Sequence, residues 1–190
     1  VQTCALPILV ADLSKDPFNS SLNFAVAVEY ERINQTASAV SFYLRTAEYS
    51  TTPKDPMVYA ALLKMAHCFD DQTDRVATVS NCLLQAVTYD SNRPESYFLL
   101  SQFFERQAQW QESYTYAQIG LDKPEYAPLP VDVGYRGKYC LDFQKAVAAY
   151  WIGRGNESEY LLRVLLSMDI APEYANAAKH NLERITGAVI

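Results

Sequence analysis

Arg93-Pro94-Glu95-Ser96-Tyr97-Phe98-Leu99-Leu100-Ser101-Gln102-Phe103-Phe104 is the stretch that decides the fold of this 190-residue chain. Tyr97, Leu100, Ser101 and Phe104 fall at offsets 0, 3, 4 and 7. That is one stripe of a helix in which a small residue is flanked by large ones. The same offsets select Leu62, Met65, Ala66 and Phe69, then Phe143, Ala146, Val147 and Tyr150, and more loosely Asn23, Val26, Ala27 and Tyr30. The closing aromatics Tyr30, Phe69, Phe104 and Tyr150 stand 39, 35 and 46 residues apart. A period of that length is the signature of stacked helical hairpins.

Working outward, Asp16-Pro17 opens a first hairpin whose helix runs from about Ser20 to Ile33, since proline suits a helix's first turn. Asn34-Gln35-Thr36 turns it, and the return helix carries Ala39, Tyr43 and Ala47. A second hairpin begins at Asp55-Pro56, turns over Asp70 to Asp74 with one extra residue, and returns through Val79, Leu83 and Ala86. The third turns at Gln107-Ala108-Gln109 and returns from Trp110 with Ser113, Ala117 and Gly120 inward. Glycine there lowers helix propensity by about 1 kcal/mol relative to alanine, so close helix packing is the expected reason for it. Asp122 to Lys138, with Pro124, Pro128 and Pro130, is an irregular loop, and a loop of that length is usually functional or a flexible insertion. A fourth hairpin starts near Leu141, turns at Gly153-Arg154-Gly155 and returns through Leu161, Leu162 and Leu165. Pro172-Glu173 starts a last helix that seals the stack. The fold expected is all-α: an α-α superhelix of about four hairpins with a C-terminal capping helix, spanning residues 9–190 as a single domain.

Composition limits the function. Apolar residues make up 49% of the chain and charged residues 20%, which is the balance of a folding sequence. Net charge is -6, with 16 basic residues against 22 acidic and no Lys/Arg cluster, so nucleic acid and anionic membrane surfaces are not expected partners. No apolar run reaches the ~18 residues of a membrane span. Val1-Gln2-Thr3-Cys4-Ala5-Leu6-Pro7-Ile8 resembles a translated sequencing adapter. Residues 1–8 are therefore read as an assembly artefact and the chain as a metagenomic or phage fragment of a longer protein. Cys68, Cys82 and Cys140 show no metal spacing and are expected as buried thiols in a reducing, cytoplasmic setting.

The hairpins resemble tetratricopeptide repeats, on Pro94, Glu95, Tyr97, Leu100, Ser101, Phe104, Trp110, Ser113, Ala117 and Gly120 of the third, with the others matching in outline over residues 16–170. More narrowly, the order Arg93-Pro94-Glu95, Trp110, Tyr114, Ala117, Gly120-Leu121, Asp132-Val133, Lys138-Tyr139 and Lys145 to Ala149 resembles helical-repeat regions beside bacterial and phage glycosyltransferase domains. The first resemblance implies a non-catalytic interaction scaffold, with the first helix of each hairpin lining a concave groove. The second implies a setting in glycan assembly, with a catalytic domain, a glycosyltransferase, joined to the chain; its rival form is an accessory region that binds acceptor glycan.

Catalytic chemistry finds no constellation. No Asp-x-Asp pair, P-loop or GxGxxG is present. Asp70, Asp71 and Asp74 cluster in a helix-helix turn, where capping and solvation explain them. His67 and His180 stand far apart, outside any nucleophile-base set. No cofactor or metal is expected. By offset, the groove positions are Val28, Glu31 and Arg32, then Leu63, His67, Asp70 and Asp71, then Phe98, Gln102, Glu105 and Arg106. Their mixed charge and apolar surface suit a protein or peptide partner, while plain solvated helix faces would read the same way. In the loop, Asp132, Tyr135, Arg136 and Lys138, with Tyr139, are the candidates for a sugar site, set against tyrosine packing. Asn19, Asn34 and Asn156 match the glycosylation pattern by chance.

Overall fold

The computed structural model describes residues 5–72 and 74–187. Val1 to Cys4 of the adapter-like segment and Thr73 of the second turn lie outside the described residues. Ten helices and no strand occur among those described: α1 Leu6–Leu13, α2 Ser20–Arg32, α3 Thr36–Tyr49, α4 Pro56–Asp70, α5 Val76–Tyr89, α6 Glu95–Arg106, α7 Trp110–Leu121, α8 Lys138–Trp151, α9 Gly155–Leu166 and α10 Pro172–Thr186. The all-α hairpin architecture is as expected. α1 incorporates Leu6, Pro7 and Ile8 of the adapter-like segment and packs on α2.

The helices group into two compact units. The first comprises residues 1–91 with 127–133, and the second residues 92–126 with 134–190. In the first, α2 pairs with α3 and α4 with α5, while α3 and α2 pack on α4. Its core holds Phe24, Val26, Ala27, Ala39, Tyr43, Tyr59, Leu63 and Leu83. In the second, α6 pairs with α7 and α8 with α9, α8 packs on α6 and α7, and α10 closes over α9 and α8. Ala146, Leu162, Leu165, Ala178 and Leu182 form the core shared by α8, α9 and α10.

Three hairpin turns are built alike. Asn34, Ala108 and Gly153 hold left-handed backbone at φ 58, 55 and 81. The next residue's N–H donates back to a carbonyl five residues earlier: Gln35 to Tyr30 at 2.8 Å, Gln109 to Phe104 at 2.9 Å and Arg154 to Ala149 at 2.8 Å. This is the bonding of a helix C-cap that satisfies orphan carbonyls. Because the turns match residue for residue, they fix the register of the helices before them.

That register corrects the fourth stripe by one residue. Ala149, not Tyr150, stands where Phe104 and Tyr30 stand, four residues before the left-handed turn residue. The matched set in α8 is Asp142, Lys145, Ala146 and Ala149, and Ala149 is 0% exposed against 45% for Tyr150. Aromatic packing agrees. Tyr30 stacks on Phe42 at 5.4 Å and 8°, and Phe104 on Tyr116 at 5.3 Å and 3°, at equivalent places in two hairpins. Ala149 supplies no ring for such a pair. α8 also starts at Lys138, earlier than the expected Leu141, because Gly137 ends the loop in a backbone (φ 130, ψ 175) that glycine alone adopts readily.

The remaining packing is as read from sequence. A Cβ built on Gly120 would lie 2.8 Å from Leu141 Cδ2 and 3.0 Å from Tyr97 Cβ, so α7 approaches α6 and α8 as closely as a missing side chain permits. Ser101 Oγ donates to the Ser113 carbonyl at 2.9 Å and meets Ser113 Oγ at 3.1 Å, tying α6 to α7 through their small residues. Cys68, Cys82 and Cys140 are buried thiols.

Candidate binding surface

In the first unit, the expected groove residues divide into tied and exposed. Glu31 on α2 accepts from Tyr43 Oη on α3 at 2.6 Å and pairs with Lys64 Nζ on α4 at 2.6 Å. Burial, and then the Glu31 hydrogen bond, push the Tyr43 phenol above its ordinary range. Glu31 is thus an internal tie among three helices. Burial, followed by the Glu31 charge, also pushes the Cys68 thiol up to about 12, so it stays protonated at neutral pH. Arg32 is exposed and held by Glu29 through Nε at 3.1 Å and Nη2 at 2.8 Å. His67, Asp70 and Asp71 are exposed at the end of α4. Leu63 is core, which corrects its groove placement.

In the second unit, Phe98 is likewise corrected. It is 1% exposed and packs with Ala117, Cys140 and Leu141, with the Tyr135 ring 5.6 Å away. Its offset places it on the flank of α6 that α8 covers. Gln102 is half-buried and Arg106 exposed. Glu105 is half-buried: burial, opposed by the Gln144 hydrogen bond and the Arg106 charge, pushes its carboxyl up. Burial does the same to Asp142, against Lys145 and Lys138.

The loop candidates do not gather into a sugar site. Tyr135 turns its ring onto Phe98, and its buried hydroxyl has no partner among the described residues. Tyr139 packs edge-on against Tyr174 at 5.3 Å. Arg136 reaches Glu173 at 3.8 Å with both side chains more than half exposed, a weak pair. Asp132 is exposed in the loop, and Lys138 opens α8. The two rings that would stack on a sugar are used in packing.

Two features escaped the sequence reading. One is a polar cluster: Tyr114 Oη donates to Glu157 Oε1 at 2.8 Å, Lys145 Nζ meets the same oxygen at 3.0 Å, and Arg154 Nη1 donates to Tyr114 Oη at 2.9 Å. Lys145 occupies the position of Leu100, so this cluster replaces an apolar contact. Burial would raise the Glu157 carboxyl, but the Lys145 and Tyr114 hydrogen bonds and the Lys145 and Arg154 charges hold it below its ordinary value. The second is an aromatic group. In the corrected register Gln102, Glu105 and Arg106 recur in α8 as Val147, Tyr150 and Trp151. Trp151 is 55% exposed, stacks on Trp110 at 5.0 Å and 16°, and meets Tyr150 edge-on at 5.5 Å. The signal was the turn length shared by the first, third and fourth hairpins, which the 46-residue aromatic spacing obscured.

Among the described residues, no group of three His, Cys, Asp or Glu could hold a metal ion, and no helix is long and apolar enough to cross a membrane.

No family model and no curated protein matches the chain. Solved structures do. The crystal structure of MamA aligns with TM-score 0.64 at 13% identity, over 91% of this chain and 88% of that one. YrrB, described as a tetratricopeptide-repeat protein with an unusual peptide-binding site, aligns at 0.67 and 12% identity over 94% and 82%. A tetratricopeptide repeat protein from Parabacteroides merdae aligns at 0.71 and 14% identity over 96% and 66%. The hairpins, their shared turn geometry and these alignments together give the chain the tetratricopeptide-repeat fold.

Proposed function

We propose that the chain is a non-catalytic scaffold that holds a protein or peptide segment on the first-helix faces of its hairpins. The carrying observation lies in the second unit, where Arg106 on α6 and Tyr150 and Trp151 on α8 are exposed at matched positions; in the first unit the matched positions expose His67 and Asp70 on α4 and Asp71 just after it. A charged side chain and exposed aromatic rings within one unit are what a polar-rimmed interface with an aromatic anchor requires. The peptide-binding site attributed to the similarly folded YrrB supports the reading. The setting we propose is cytoplasmic, in keeping with three reduced thiols. The finer proposal, a link to glycan assembly through a covalently joined glycosyltransferase domain, rests on the motif order over residues 93–149 alone.

The test uses peptides selected from a random display library on the wild-type chain. Arg106→Glu combined with Trp151→Ala should leave helicity by circular dichroism intact and weaken the selected peptides roughly tenfold or more. Peptides that bind the variant equally well would refute the assignment.

A further inference from the structure

Between the end of α8, the first turns of α9 and the last turns of α10 lies a cleft of about 150 Å³. Val147, Leu162 and Ile185 form its apolar wall, and Tyr150 and Trp151 its aromatic rim. Ser158, Asn181 and Arg184 supply the polar groups.

Ser158 is 0% exposed, and its Oγ has no hydrogen-bond partner among the described residues. The register explains why. Its counterpart in the third hairpin, Ser113, is bonded to Ser101. In the fourth hairpin Ala146 stands in place of Ser101, so the hydroxyl loses its mate. A buried hydroxyl left unpaired costs free energy, and this one sits in the wall of a cleft that can admit an acceptor.

The polar groups also set the sign of the ligand. Among the described residues that line the cleft, Arg184 alone is formally charged. Its guanidinium only donates, the Asn181 amide and the Ser158 hydroxyl can donate or accept, and none of the described lining residues carries a carboxylate. A polyhydroxylated ligand would find no carboxylate acceptor among these residues. A carboxylate matches a guanidinium fork, and the apolar wall requires a small apolar body beside it. From this we infer that the α8–α9–α10 cleft is a binding site for a monocarboxylate carried on a small aliphatic or aromatic group. The cleft shares its Tyr150 and Trp151 rim with the proposed partner face, but its test with small acids needs no protein partner. The same chemistry comes from a free acid or from the last residue of a peptide.

Phenylacetate titrated into the wild-type chain should give a saturable change in tryptophan fluorescence, with amide shifts confined to the ends of α8 and α10 and the start of α9. Phenylacetamide should give neither. Arg184→Gln, at an exposed position, should keep its circular dichroism spectrum and weaken phenylacetate roughly tenfold or more, and Ser158→Ala should weaken it several-fold. A pentapeptide ending in phenylalanine with a free carboxylate, compared with its amidated form, separates the sources. Tighter binding of the peptide acid than of phenylacetate assigns the site to chain ends, and the reverse to free acids. Absence of saturable binding by either acid, equal binding of the amides, or unchanged affinity in Arg184→Gln would overturn the inference.

Discussion

Ala108 holds φ 55 where the matched turns hold Asn34 and Gly153. A left-handed backbone costs a residue with a Cβ about 1 kcal/mol that glycine avoids. Ala108→Gly should therefore stabilise the chain by about 1 kcal/mol, read as a higher urea midpoint with unchanged slope. Gly120→Ala works the other way. Its added methyl meets Leu141, itself fully buried, and Tyr97 Cβ. Overpacking of that kind costs about 1–3 kcal/mol, which outweighs the propensity gain of about 1 kcal/mol. The carboxylates give opposed pH responses. Burial raises Glu105 in the folded state, so its contribution falls as pH rises from the unfolded value through the folded one. Glu157 is held low by Lys145, Tyr114 and Arg154 against its burial. Its contribution is present above the unfolded value and is lost as pH falls through the folded one. In urea melts at pH 7, Glu105→Gln should be more stable than wild type and Glu157→Gln less stable. Both differences should shrink by about pH 3, where carboxylates are protonated.

At the scale of elements, two ion pairs position helices. Arg93 and Glu95 are both buried and meet in a fork, Nε to Oε2 at 3.2 Å and Nη2 to Oε1 at 2.7 Å, with the Arg93 guanidinium 5.0 Å over the Tyr126 ring. This pair fixes the start of α6. Glu95→Gln takes one carboxylate out of this buried pair, so it should lower the midpoint of a denaturant melt. The Tyr43–Glu31–Lys64 chain ties α2, α3 and α4. Legibility in the sequence followed packing. Helix starts carried by proline, in α4 and α10, and the small-residue faces at Ala39, Ser113 and Gly120 were readable because propensity and periodicity agreed there. The fourth hairpin was misread by one residue because Lys145 occupies a position that is apolar in the other three, Val26, Met65 and Leu100, and Asp142 one that holds Leu62 and Tyr97 in two of them. Burial paired by Tyr114 and Glu157 leaves no hydrophobic signal. Phe98 and Leu63 were placed on the groove because offset alone does not say which flank a neighbouring helix covers.

Across the whole molecule, three of the four hairpins share one turn and all keep a stripe of small residues, but they diverge in what they present. α4 ends in His67, Asp70 and Asp71, α6 in Glu105 and Arg106, and α8 in Tyr150 and Trp151. The shared features set the hairpin, and the divergent ones are where selectivity resides. This scale was the least legible, since a side chain's role depended on partners far away in sequence, as with Trp110 and Trp151. The central claim is that first-helix faces, not second-helix faces, hold the partner. The direct measurement is photo-crosslinking of a library-selected peptide to benzoylphenylalanine placed singly at His67, Arg106, Leu84 and Thr115, all exposed positions. The account predicts adducts at His67 or Arg106 in large excess over Leu84 and Thr115; equal yields at all four, or an excess on the second helices, would contradict it.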